Sequence, residues 1–252
     1  TAIQVFGGEN GSFDSSLGVV STPEYGKVFI SVRNNLGTNL TPVEKSGLVS
    51  QLGKYTVASI SPVIVDPDFL YILLTCDFKY DSSKTVKTKD TLVNEVVSVI
   101  ANYNSTELVK FDAVLRHSKL LRVIDNTDNS ITSSSVTPRL AQYFSPKLLE
   151  TKSYNLYLNN ALYNPHIGHN SDDGGILTST GFYVSGEYST LEQFFDDDGS
   201  GNLRLYYLTG AVRNYTNLTA GTINYTTGSI NIKNIVITAI SNVDGTVSTR
   251  IR

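Results

Sequence analysis

From Ser145 onward the chain carries no apolar repeat at helical spacing, and short alternating runs separated by glycine-rich turns follow one another instead. Period-two runs of this kind are half-buried strands, and a succession of them with turn signals between makes an antiparallel sandwich or barrel. The runs lie at 154–158, 176–184, 203–208 and 230–240. Asp172-Asp173-Gly174-Gly175 and Asp198-Gly199-Ser200-Gly201 supply turns, because Asp bonds its own backbone and Gly accepts positive φ. Before Ser145 strands alternate with helices. The chain is therefore expected to be α+β, mainly β: an α+β domain over 25–144, an all-β antiparallel domain over 145–252, and a linker or the end of a preceding domain over 1–24.

Within 25–144 the alternation at 27–33 reads as a strand, and Thr41-Pro42-Val43-Glu44 reads as a capping box with Pro at the first helical position, its helix closed by Gly53. Apolar runs at 55–65 and 69–80 flank Asp66-Pro67-Asp68, which predicts a hairpin. Leu92, Val96, Val99, Ile100 and Tyr103 recur three and four apart, the stripe of a helix over 89–104. Short helical turns at 107–115 and 118–124 and a strand at 131–144 complete the pattern. Setting the short turns aside as an insertion, the order strand, helix, strand, strand, helix, strand predicts a ferredoxin-like βαββαβ domain, a fold that hosts many functions.

Composition excludes several partners. A net charge of -3 with no basic block gives no footprint for nucleic acid. The apolar stretch at 69–76 is far shorter than the ~20 residues of a membrane helix, and no membrane partner is expected. Cys76 stands alone on the alternating strand with Leu70, Ile72, Leu74 and Phe78, so it reads as a small buried hydrophobe in a chain made in a reducing cytoplasm. The triplets at Asn39, Asn104, Asn214, Asn217 and Asn224 match the glycosylation pattern but follow from abundant Asn, Ser and Thr.

Few residues are placed for chemistry. His166 and His169 with Asp172 and Asp173 have metal-ligand types, but a Gly-rich loop does not set two His on one helical face, and a solvated turn is the reading adopted. Asp196, Asp198, Ser200 and Gly201 start like a calcium loop, yet Tyr207 stands where a bidentate Glu is needed, which leaves a hairpin tip. The glycine pairs fit no phosphate or dinucleotide loop, and no nucleophile, base and orienting acid fall in a recognised pattern. No catalytic residue, metal ligand or cofactor is assigned. Lys110, Arg116, Lys119 and Arg122 offer a docking patch for an acidic partner or, more simply, a solvated helix face.

Five blocks carry a resemblance: Tyr25-Gly26-Lys27-Val28-Phe29-Ile30-Ser31-Val32; Val63-Ile64-Val65-Asp66-Pro67-Asp68-Phe69-Leu70-Tyr71; Arg116-His117-Ser118-Lys119-Leu120-Leu121 with Ile124-Asp125-Asn126; Ser130-Ile131; and Gly221-Thr222-Ile223-Asn224-Tyr225-Thr226-Thr227-Gly228-Ser229-Ile230. In this order they resemble the baseplate J-like family of contractile-tailed bacteriophages, while 145–220 matches nothing. The resemblance implies a non-enzymatic structural subunit of the baseplate wedge, located in the virion and assembled in the host cytoplasm. It implies a homodimer that also binds other wedge proteins, joins wedges into the inner baseplate ring, and moves in the rearrangement that triggers sheath contraction. It also implies that this chain is a carboxy-terminal part of a longer protein, with 1–8 a strand continuing from a preceding domain. Two other classes compete. Tyr and Asn on Gly-rich β loops suit a carbohydrate-binding or adhesin domain, and scattered carboxylates leave a glycoside hydrolase open.

Overall fold

A computed structural model describes residues 2–10, 13–14, 19–20, 23–33, 39–57, 59–67, 69–111 and 113–241. The chain divides into two compact units. The first comprises Thr1–Asn10, Pro23–Pro67 and Ile72–Arg139; the second comprises Gly11–Thr22, Asp68–Tyr71 and Leu140–Arg252.

The first unit contains two small sheets. Strand β1 (Ala2–Gly7) runs antiparallel to β4 (Lys27–Arg33), and β4 runs parallel to β5 (Ser61–Val65), in the order β1-β4-β5; strands β2 (Phe13–Asp14) and β3 (Val19–Val20) belong to the second unit. The parallel pair requires a crossover, and α1 (Pro42–Leu52) provides it beside β5. Its start follows the expected box: Thr41 Oγ1 accepts from Glu44 N at 3.3 Å and Thr41 N donates to Glu44 Oε2 at 2.8 Å. Gly53 ends it in right-handed geometry. Phe29 on β4 is buried and stacks on Phe6 at 5.5 Å, which centres this small core on one aromatic pair.

The other sheet pairs β6 (Tyr71–Tyr80) with β7 (Ile131–Ala141) and is covered on one face by α2 (Lys89–Tyr103) and α3 (His117–Asp125). β6 alternates along its whole length, so Leu74, Cys76 and Phe78 turn toward the helices while Tyr71, Leu73 and Thr75 turn outward. The α2 stripe buries Leu92, Val96 and Tyr103 as its spacing requires; Val96 and Tyr103 pack with Leu120, Ile124, Ile131 and Val136. A single π-helical turn (Asn104–Leu108) extends α2.

This arrangement corrects the ferredoxin-like expectation. Among the described residues the strands do not form one four-stranded sheet, and β5 and β6 do not form a hairpin across Asp66-Pro67-Asp68. Strand length explains the choice: the ten residues of β6 are matched by the eleven of β7, whereas β5 has five and contains Pro62, which withholds a ladder donor and suits an edge. Asp66 does not cap a turn; its carboxylate takes Lys45 of α1 at 2.7 Å. The strand expected over 55–65 starts only at Ser61, and helix over 107–115 reaches no further than Leu108.

The second unit is a closed barrel. Its strands are β8 (Thr151–Tyr157), β9 (Phe182–Val184), β10 (Gln193–Asp197), β11 (Asn202–Thr209), β12 (Val212–Asn224) and β13 (Ser229–Ile240). They are antiparallel in the order β12-β11-β10-β9-β13-β8, and a further pairing of β12 with β13 closes β9 to β13 into a five-stranded ring with β8 attached outside. β13 closes the ring by changing partner. Ile230 and Ile232 face β12, and after an irregularity that includes Asn234 at φ 37°, Ile237 and Ile240 face β9. Gly221 makes the closure possible, since a Cβ there would collide with the Asn231 carbonyl. The interior holds Phe182, Phe195, Leu203, Ile223, Ile232 and Ile237. The alternating runs at 154–158, 203–208 and 230–240 fall on β8, β11 and β13, the run at 176–184 is strand only over Phe182–Val184, and β10 and β12 lie outside all four.

Candidate assembly surfaces

The residues singled out for chemistry in the second unit are engaged by their own fold. His166 and His169 approach edge to face, ring centroids 5.0 Å apart, and Tyr163 packs against His169. Asp172 and Asp173 lie on the short 3-10 turn Ser171–Asp173. Among the described residues no three His, Cys, Asp or Glu gather around one point. The calcium-like stretch also divides: Asp198 Oδ1 accepts from Ser200 N at 2.7 Å and Asn202 N at 3.0 Å, tying the tip to itself, while Asp196 points elsewhere.

Asp196, expected at a hairpin tip, lies instead inside β10 next to Asp197, which the sequence does not mark, and the two form a buried polar centre. Both are fully buried, and as neighbours on β10 they face opposite sides of the sheet. Asp196 receives Arg204 Nε at 2.9 Å and the Tyr215 hydroxyl at 3.0 Å, with the Arg204 guanidinium 4.4 Å from the Tyr215 ring centre. Burial pushes the Asp196 carboxyl up, against the pull of Arg204. Asp197 accepts four bonds: Ile176 N at 2.8 Å, Leu177 N at 2.7 Å, Gly199 N at 3.1 Å and the Tyr225 hydroxyl at 2.7 Å. Burial and that bond push the Tyr225 phenol up. Gly175 stands where any Cβ would strike the Asp197 carboxylate, and its φ of 64° suits Gly as well. Arg204 Nη2 donates to the Ser171 carbonyl at 3.0 Å, and Gly168 N donates to the Gly199 carbonyl at 3.0 Å. The long connection from β8 to β9 is thus pinned to the barrel by charge-assisted bonds, a structural duty that occupies both carboxylates.

The first unit leaves apolar surface uncovered. Ile3 and Val5 on β1 are 62% and 59% exposed, and α1 buries none of its side chains. Val43 and Tyr55 are also exposed. β1 and β5 are the terminal strands of their sheet, and among the described residues nothing pairs with their outer edges. A sheet edge left in this state offers unpaired backbone groups and exposed apolar side chains together.

The cations of 110–122 divide in the same unit. Arg116 and Lys119 line a groove of about 370 Å³ with Tyr103, Glu107 and Val114, whereas Arg122 is exposed on α3 outside that lining. Lys119 Nζ meets Glu107 Oε2 at 2.8 Å. That bond, with the charges of Lys119, Lys110 and Arg116, holds the Glu107 carboxyl below its ordinary range. The grouping of Arg116 with Lys119 was readable from their spacing; the part of Glu107 was not.

A carboxylate centre fully bonded within the second unit, and apolar surface left open in the first, are the marks of a structural assembly subunit. Comparison with known proteins gives the family. Residues 68–142 match "Baseplate structural protein gp6, C-terminal domain III", and residues 1–65 match "Baseplate structural protein gp6, C-terminal domain I". The chain is also similar to baseplate wedge protein gp6 of Enterobacteria phage T4, 26% identical over 117 residues that make up 46% of this chain and 18% of that protein. The chain belongs to the gp6 family of phage baseplate structural proteins, a non-enzymatic structural family of the virion tail baseplate. Family and relative together support a role in the baseplate wedge.

Proposed function

We propose that this chain is the part of a wedge subunit that holds copies and neighbours together: it dimerises, binds other wedge proteins to join wedges into the inner ring, and takes part in the rearrangement that triggers sheath contraction. The observation that carries this reading is the open sheet of the first unit, where exposed Ile3 and Val5 lie on an edge strand and the crossover helix buries nothing. A two-fold contact of β1 with a second copy would pair the free backbone groups and cover both side chains at once.

Sedimentation of the wild-type chain against Ile3→Lys/Val5→Lys tests it. The wild type self-associates with rising concentration, and the double variant stays monomeric with an unchanged unfolding midpoint, because charges on an edge strand block pairing. Equal self-association of both proteins would remove β1 from the interface.

One observation favours a second reading. Asn155, Thr222, Asn224, Ser229 and Asn231 line a neutral polar depression of about 330 Å³ on β8, β12 and β13, a surface suited to a sugar. Specific retention on a glycan array, lost in Asn224→Ala, would promote it over the assembly reading.

A further inference from the structure

We infer that the groove between α2 and α3 receives an acidic segment of another polypeptide, with Glu107 holding the place that the incoming carboxylate takes. Three elements converge there. The end of α2 supplies Tyr103, which is buried and anchored in the core, so the floor is fixed before any partner arrives. The π-helical turn (Asn104–Leu108) carries Glu107, and its wider backbone breaks the helical register at the residue that meets α3. Arg116 and Lys119 stand on the opposite wall at the start of α3.

The charges do not balance locally. Lys119, Arg116 and Lys110 all act on Glu107, yet only Lys119 bonds it, and no ion pair joins Arg116 or Lys110 to a carboxylate among the described residues. The groove therefore presents the unpaired Arg116 guanidinium, with Lys110 near enough to act on Glu107, in a chain whose net charge is -3. Carboxylates match it: Arg takes them bidentately, and Lys119 is already bonded to one. Val114, 73% exposed on the rim, adds apolar wall that a polypeptide's methylenes can cover and a bare phosphate cannot. A baseplate subunit is surrounded by other proteins, which supplies the source. The inference rests on the assembly reading but uses a different surface from β1, so failure of the β1 contact leaves it standing.

Glu107 makes the test one of sign. An internal carboxylate competes with an external one, so Glu107→Gln should tighten binding of a fluorescein-labelled ten-residue glutamate peptide, measured by anisotropy in low salt. We expect a gain of about threefold, and a loss of about tenfold for Arg116→Gln/Lys119→Gln. Two controls carry the same charge changes elsewhere: Glu150→Gln should give no gain and Lys54→Gln/Lys89→Gln no comparable loss. Unfolding midpoints check each fold; should the groove pair fail to fold, the comparison of Glu107→Gln with Glu150→Gln still decides. Equal effects in groove and control variants would overturn the inference, since the peptide would then report net charge alone. Complete displacement of the peptide by low millimolar inorganic phosphate would overturn it too, assigning the groove to small anions.

Discussion

Replacing Asp197 by Asn changes little volume and removes one charge from the most heavily bonded carboxylate in the barrel. The amide oxygen can keep Ile176 N and Leu177 N, but its NH₂ group then faces Gly199 N and the Tyr225 hydroxyl. Tyr225 can turn to accept; the Gly199 amide cannot. Three bonds lose their charge assistance and one amide loses its acceptor inside a region from which water is excluded. Allowing for the partly exposed donors, the sum is about 3 kcal/mol of barrel stability, with exchange of the Ile176 and Leu177 amides accelerated about a hundredfold if the connection is released as a whole. The chain has 15 Tyr and no Trp, so tyrosine fluorescence follows urea unfolding, and amide exchange reads residues 176 and 177 directly. Asp198→Asn is the control, because it can keep most of its tip bonds and should cost under about 1 kcal/mol. If Asp197→Asn costs no more than its neighbour and leaves the two amides protected, the pinning of the long connection has been misassigned.

Three further outcomes are expected. Thr41→Ala should cost about 1 kcal/mol of helix stability, read as faster amide exchange in α1, which has no buried side chain to hold it once its cap is gone. Asp128 is held at about 2 by its bond from Lys87 and by Ser130; because that value lies below the unfolded one, its stabilising effect is full above the ordinary carboxylate range and is lost as pH falls through about 2. Carboxyl NMR should show that midpoint rising in Lys87→Met, and an unmoved midpoint would leave Ser130 as the cause. Gly221→Ala should lower the thermal midpoint of the barrel, since its methyl collides with the Asn231 carbonyl at the closure of the ring; an unchanged midpoint would mean that β12 can give way there.

What could be read in the sequence was what neighbours in the chain decide. The Thr41 box and the α2 stripe depend on contacts three and four residues apart, so both appear where spacing puts them. Strand pairing depends on remote residues. Asp66 and Pro67 look like a turn until Lys45 claims the carboxylate and β7 proves the better match for β6. β10 was hidden because Asp196 and Asp197 look solvent-seeking; only Arg204, eight residues on, and the returning Ile176 and Leu177 amides make them interior groups. The groove was half legible, since Arg116 and Lys119 stand three apart at the start of α3 while Glu107 reaches Lys119 through a π-turn that has no clear sequence signature.

The two units answer differently to the question of where a chain of strands stops. In the barrel β13 returns to β12, so the five-stranded ring closes on itself, with β8 appended to β13. The sheet of the first unit is a series cut short, with β1 at one end and β5 at the other. Joining β1 of one molecule to β5 of the next would be a head-to-tail union, which closes into a ring where its rotation allows and otherwise propagates as a fibre, whereas joining β1 to β1 ends growth at two. Pro62 gives β5 one fewer donor for the first kind of union. Under the proposed β1 contact, the short strand Ala2–Gly7 would set a finite copy number, and the proline on the far edge would disfavour the head-to-tail alternative.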